Sequence, residues 1–232
     1  MKSVLISNRP KWCGKIFHEI GKDENGKPIY EKTIEVRKGK PSEVPFRCLI
    51  YATKPKKWYK SGPLLISDES LWLVNGKVKM CDGLELWADS VENYYGLNGK
   101  IIGEFICDRI DEYKYVYCDH PEIGYPVGYD CGDNWYDIDD EDLQKACLTE
   151  EEFKRYGNGK PLYGWHISDL KIYDKPKKLS EFYRPCSYSG ICRSCNRFRP
   201  DGTPNDKPND FCDGEITRPP QSYMFVEEVE TR

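Results

Sequence analysis

The sequence predicts an α+β fold, a small mixed, barrel-like β-sheet with peripheral helices, insertions and a C-terminal cysteine-rich loop region. Three observations carry this reading. Short β-rich or alternating runs recur along the chain ("SVLIS", "KTIEVRK", "FRCLIYAT", "GKIIGEFICDRI", "YGWHISDLKIYD"). One amphipathic helical pattern follows the first of them, and the regular strand–helix alternation of a parallel doubly wound sheet is absent. A chain of 232 residues is long enough to bury a core. Although only 38% of residues are hydrophobic, the 13% that are aromatic bring large apolar areas, which argues for a folded chain rather than a disordered one.

The elements follow in order. "KSVLIS" is a strand, and Pro10 stands at the first helical position of the segment after it. Across "PKWCGKIFHEIG", Trp12, Ile16 and Ile20 recur every four residues, Cys13 and Phe17 widen the stripe, and Gly21 marks the stop, so the helix is expected to reach Ile20. Asn25-Gly26 then makes a hairpin-type turn. In "EKTIEVRK", alternation puts Thr33, Glu35 and Arg37 on one side and Lys32, Ile34 and Val36 on the other, a half-buried strand with a charged face. "FRCLIYAT" is the next strand. Residues 55–100 read as elaboration around an Asn75-Gly76 hairpin, and the core pattern resumes at "GKIIGEFICDRIDEY". The acidic, aromatic stretch 118–142 lacks the spacing of a calcium loop, and its aspartates read as helix caps and solvated groups. Thr149 and Glu152 are in capping-box register, with Gly157 past the helix end.

Charge is segregated. Residues 1–60 hold 15 Lys and Arg against 6 Asp and Glu, and the remainder 20 against 33, within a net charge of -4. A basic first segment suits an anionic ligand, and the acidic remainder discourages indiscriminate coating of nucleic acid; solvated loop lysines are the plainer alternative. No run of about 18 apolar residues suits a membrane span, and the first residues lack a signal-peptide pattern, so a cytoplasmic protein with no membrane partner is expected.

That compartment argues against disulfides among the eleven cysteines. Seven are scattered and read as small core residues. Cys186, Cys192, Cys195 and Cys212 cluster in Pro/Gly-rich sequence, and the central C-x-x-C places two thiolates on one metal. A structural zinc held by all four is the expected cofactor, with free or redox-active thiols as the alternative. No organic cofactor is indicated.

"SVLISNRPKWC" leading into a helix, then "KTIEVRK", "CLIYATKP", "NGKIIGEFICDRI" and "YGWHISDLKIYDKPKKLSEF" together resemble the ASCH domain family of the PUA-like superfold, in the family's order. The likeness extends to ASCH-domain proteins of phages and gut Firmicutes, which also end in "TRPPQS" followed by an aromatic pattern. It implies a β-barrel with helices over residues 1–182, interrupted near 55–98 and 112–162; the cysteine spacing makes 183–232 a cysteine-rich, zinc-stapled extension expected to pack on it. By the same resemblance the ligand pocket lies between the barrel and the helix after the first strand, lined by Lys32, Glu35 and Arg37. One departure is the segment "DENGKPIYE" between Lys22 and Lys32, where typical members pass directly into the motif. Strict alternation would put Lys32 on the apolar side, so it must sit at the strand's mouth or on a bulge.

Two functional classes follow from the resemblance. One is a module binding RNA or a (modified) nucleoside or nucleotide: Arg37 suits phosphate or stacking, Lys32 supplies a cation, and Glu35 accepts from a base. Trp12, Trp165 and His166 are further ligand-binding candidates, although Trp12's helical spacing also suits a core anchor and a strand histidine suits a structural role. The other is an amidohydrolase acting on N4-acetylcytidine-like nucleosides, with Lys32 as base or nucleophile and Glu35 as proton shuttle. The family's small enzymes carry Thr at the position of Glu35 and a further Glu on a later helix, for which Glu141, Glu150 and Glu151 are the candidates in this chain. A third class is a phage protein acting on a host component through its insertions.

Overall fold

The computed structural model describes residues 1–57, 59–61, 64–81, 94–116, 135–184, 216 and 218–228. The first half runs β1 (Ser3–Asn8), α1 (Pro10–Phe17), β2 (Glu19–Lys22), β3 (Pro28–Tyr30), β4 (Ile34–Arg37), β5 (Phe46–Ala52), β6 (Tyr59–Ser61), β7 (Leu64–Ile66), β8 (Leu71–Val74), β9 (Lys77–Met80) and β10 (Tyr94–Gly96). It continues with β11 (Lys100–Cys107), β12 (Ile110–Tyr113), β13 (Tyr115–Val116), β14 (Trp135–Tyr136), α2 (Asp140–Ala146), α3 (Glu150–Gly157), β15 (Leu162–His166), β16 (Ser168–Lys177), β17 (Phe182–Tyr183) and β18 (Tyr223–Glu228). The fold is mixed and sheet-dominated with few helices.

The main sheet has the order β16-β11-β5-β1-β18-β17, with β1 and β5 parallel and the other neighbours antiparallel. Both faces are covered. Val4 and Ile6 of β1 join one core with Cys13, Ile16 and Phe17 of α1, while Leu5, between them in sequence, joins a second core with Leu49, Tyr51 and Phe182. That is the period-two alternation of a strand buried on both sides. The stretch "YGWHISDLKIYD", expected as one strand, is two: β15 pairs with β4 and β12 in a separate three-stranded sheet, and β16 borders the main one. The corner falls at Ile167, whose N–H bonds the Thr33 carbonyl, followed by Asp169 at φ +47°. Because of this split, the strands do not close into a barrel among the described residues.

The helix α1 is shorter than its apolar stripe predicts. It ends at Phe17, His18 is extended, and Ile20 is exposed in β2. The β2–β3 hairpin takes this segment: Asp23 Oδ1 accepts from the Asn25 and Lys27 backbone N–H groups, and Gly26 supplies a positive φ. The Asn75-Gly76 hairpin forms as expected, with φ of +50° and +76° at the two turn residues. So does the Thr149–Glu152 capping box, although Gly157 is the last helical residue and Asn158 is the left-handed cap. Asp139 caps α2 by accepting from Asp142 N–H at 2.7 Å.

A third core lies under β4, where Ile34 and Val36 pack with Tyr113, Tyr136, Leu143, Ala146, Phe153 and Leu162. The two short helices α2 and α3 are therefore held against the strand that carries the charged motif. No described helix is long and apolar enough to cross a membrane.

Candidate functional site

On β4, Ile34 and Val36 enter the core with α2 and α3, and alternation turns Glu35 and Arg37 the other way. The alternation in the sequence predicts a half-buried strand with a charged face. Instead all four β4 residues are buried, Glu35 and Arg37 each only 5% exposed. Lys32 precedes the strand, so alternation does not bind it, and it too is 3% exposed. Residues 31–33 are anchored by hydrogen bonds from elsewhere: Lys32 N–H donates to the Lys15 carbonyl at 3.2 Å, and Thr33 N–H to that of Lys145 at 2.9 Å.

The three charges touch. Arg37 Nη2 lies 2.8 Å from Glu35 Oε1, and Lys32 Nζ 3.5 Å from Glu35 Oε2. Lys32 Nζ also donates to the Ala146 carbonyl at 2.7 Å and lies 5.4 Å from the centre of the Trp12 ring. The last carbonyls of a helix have no partner within it, and the negative end of its dipole favours a cation; α2 offers two of these carbonyls to Lys32 and Thr33. Arg37 Nη1 reaches the carbonyls of Ser7 and Ser222 at 3.3 Å each, and Nη2 also donates to Asn8 Oδ1. The guanidinium thus ties β4 to the end of β1 and to the segment entering β18.

These side chains form the wall of a cavity of about 580 Å³, completed by Ser7, Asn8 and Arg9 after β1, Trp12 of α1, Leu148, Glu152, Arg155 and Tyr156 of the α3 region, and Gln221. A larger cavity, 860 Å³, is lined at the sheet's end by exposed residues such as Lys2, Glu43 and Glu228, and none of the described buried charged side chains borders it.

Burial drives the Lys32 ammonium below its ordinary pKa of 10.5, and the attraction of Glu35 opposes this without reversing it. The buried set of two cations and one carboxylate has an excess positive charge when fully ionised. Such an arrangement is stable only with further hydrogen bonds or a compensating group. At the mouth, Arg9 and Arg155 are exposed cations.

The other expected site residues are distributed as follows. Trp12 lines the cavity, partly exposed, with the Lys11, Lys15 and Lys32 ammonium groups around its ring, and is not one of the residues of the apolar cores. Trp165 is fully buried in the main core, edge-on to Phe46 and Tyr223, and does not line the cavity. His166 pairs with Asp111 at 2.6 Å and Arg109 at 2.9 Å, also outside the cavity. Of the later carboxylates, Glu141 and Glu150 pair with Lys145 and Lys154 on the helix surfaces, and Glu151 is exposed. The glutamate of the α3 region that lines the cavity is Glu152, already engaged as the capping partner of Thr149. Cys186, Cys192, Cys195 and Cys212 lie outside the described residues, and among those described no group of three or more His, Cys, Asp or Glu is arranged for a metal.

Sequence reasoning did not single out Ser7, Asn8, Arg155, Tyr156 or Gln221. A signal existed for two of them: Ser7 and Asn8 are polar residues ending an otherwise apolar strand just before the helix-starting Pro10, and Asn8 is 4% exposed. The "TRPPQS" stretch of the resemblance also contributes, through Gln221 on the wall and the Ser222 carbonyl bonded to Arg37.

No family model matches the chain, and no curated protein matches its sequence. Among solved structures it is similar to ASCH from Zymomonas mobilis, at 17% identity over 77% of this chain and 74% of that one, with a TM-score of 0.37. It is also similar to a Tyr-to-Phe mutant of that protein (16% identity, 77% of each chain, TM-score 0.37) and to a Ser-to-Ala mutant (14% identity, 97% and 89%, TM-score 0.39).

Proposed function

We propose that this chain is an ASCH-type, PUA-like module that binds RNA or a (modified) nucleoside or nucleotide in the Lys32–Glu35–Arg37 cavity. The observation that carries the reading is the burial of this ion set on the wall of a 580 Å³ cavity. Three buried ionic groups are a costly way to stabilise a fold, and a polar ligand that completes their hydrogen bonds supplies a reason for them. The cavity is of the size small-molecule sites have, about 300–1,000 Å³. Trp12 and Tyr156 are aromatic lining residues of the kind that stack on a base, and Arg9 and Arg155 at the mouth suit a phosphate. In this reading residues 1–182 form the module and residues 183–232 are an extension stapled by zinc on Cys186, Cys192, Cys195 and Cys212.

Isothermal titration of the purified protein with nucleosides, nucleotides and short RNA tests the proposal. Saturable one-site binding that weakens at least tenfold in Trp12→Ala supports it, and absence of binding to every one of these ligands overturns it.

One observation favours an amidohydrolase as a second reading: the lowered pKa of Lys32 increases its neutral fraction, as a base or nucleophile requires. In that case Lys32 would attack or deprotonate, and Glu35 would carry the proton to the leaving amine. Release of cytidine and acetate from N4-acetylcytidine, lost in Lys32→Ala, is the result this reading requires.

A further inference from the structure

Residues of the cavity wall carry unmatched hydrogen-bonding atoms. Among the described residues, Glu35 Oε2 and Asn8 Nδ2 are buried without a hydrogen-bond partner, as are Ser7 Oγ and Arg37 Nε. All four belong to residues that line the cavity. Buried polar groups are nearly always paired, so a concentration of exceptions at one cavity points to a missing partner.

Chemistry fixes which atom of Asn8 is free. A guanidinium only donates, so the amide must turn its oxygen to Arg37 Nη2, leaving Nδ2 as a donor without an acceptor. The same Nη2 contacts Glu35 Oε1 at 2.8 Å, which sets Asn8 and Glu35 side by side. Lys32 Nζ lies beyond the other carboxylate oxygen, 3.5 Å from Oε2. An ammonium has three protons; among the described residues the Ala146 carbonyl takes one at 2.7 Å and Glu35 Oε2 is a longer partner at 3.5 Å, which leaves a third. The contact order is therefore Lys32, Glu35, Asn8, and the capacities left over are donor, acceptor, donor.

We propose that Lys32, Glu35 and Asn8 read the acceptor–donor–acceptor edge of a pyrimidine imide, the pairing edge of a uracil base. This rests on the nucleobase reading above and deepens it. The two imide carbonyls would accept from Lys32 and Asn8, and the imide N–H would donate to Glu35 Oε2. Cytosine presents donor–acceptor–acceptor and mismatches at Lys32 and Glu35. Guanine presents acceptor–donor–donor and mismatches only at Asn8. A site built to hydrogen-bond a group discriminates strongly against analogues lacking it, because its own polar atoms are left unpaired. Arg37 is a positioning residue, holding Glu35 and Asn8 in register.

The test is calorimetric titration of the intact protein with uridine, 3-methyluridine, cytidine and guanosine, repeated in Asn8→Asp. That variant keeps an acceptor for Arg37 and converts the free donor to an acceptor. The expected result is that uridine binds about tenfold or more tighter than cytidine and 3-methyluridine. In Asn8→Asp, uridine should weaken by a similar factor and the preference should move toward guanosine. Equal binding of uridine, 3-methyluridine and cytidine overturns the edge assignment while leaving the nucleobase site standing. Absence of binding by all four overturns both. Guanosine preferred by the unmodified protein assigns Asn8 an acceptor role and likewise overturns the donor–acceptor–donor order.

Discussion

Lys32 Nζ donates to the carbonyl oxygen of Ala146 at 2.7 Å, joining residues 114 positions apart in sequence at the end of α2. The ammonium is thereby held at the cavity wall, with Glu35 Oε2 at 3.5 Å and the centre of the Trp12 ring at 5.4 Å. Its burial has a consequence for pH. The folded-state pKa is lowered from 10.5, chiefly by burial and against the pull of Glu35. Between that lowered pKa and 10.5 the unfolded chain binds more protons at this site, so this group's contribution to stability rises with pH across the window and levels off above it. Denaturant titrations from neutral pH to 10.5 should show this rise in the wild type relative to Lys32→Met, which lacks the titrating group.

Arg37 makes the closer of the two described ion pairs of Glu35, 2.8 Å against 3.5 Å for Lys32, and its removal leaves the buried carboxylate with the weaker one. Arg37→Ala should cost about 3–5 kcal/mol in urea unfolding. The triple change Lys32→Met, Glu35→Leu, Arg37→Met should cost far less than the single one, because apolar groups of similar size replace the whole ion set. It should also abolish nucleoside binding. A triple variant as unstable as Arg37→Ala would show that the charges serve the fold.

Gly157 ends α3 against Tyr136, and a Cβ added there would collide with the phenol, whose hydroxyl donates to the Lys160 carbonyl at 2.9 Å. Gly157→Ala should destabilise the protein by about 1–3 kcal/mol, the range for overpacking. Because α3 carries Glu152, Arg155 and Tyr156 on the cavity wall, ligand affinity should fall with it. Thermal unfolding with and without ligand measures both effects.

Local sequence signals predicted local structure well. Asp23 to Gly26, Asn75-Gly76 and the Thr149–Glu152 cap all rest on residues within a few positions of one another, and each forms. The convergence of Lys32, Glu35 and Arg37 was legible because one strand and its mouth carry all three. The end of α1 was not, since the stripe through Ile20 fits a helix and only pairing with residues 28–30 pulls the segment into β2. Trp165 and His166 share the expected motif, yet β15 sends one into the core and the other to Asp111. The remaining cavity wall comes from Asn8, the α3 region and Gln221, brought to β4 by tertiary packing that no spacing encodes.

The proposed cysteine-bound zinc is open to a separate measurement. Elemental analysis of the purified chain should find one zinc per molecule, lost in Cys192→Ser and Cys195→Ser, with chelation lowering the melting temperature. Retention of zinc in both variants would remove C-x-x-C as the metal site.

Whether the buried ion set faces a bound base is the central question, and a crystal structure of the protein soaked with uridine addresses it most directly. The predicted result is planar density in the cavity, beside Trp12, with its edge within hydrogen-bond reach of Lys32, Glu35 and Asn8. Uridine density at another surface, with the Lys32–Glu35–Arg37 cavity filled by solvent, would contradict it.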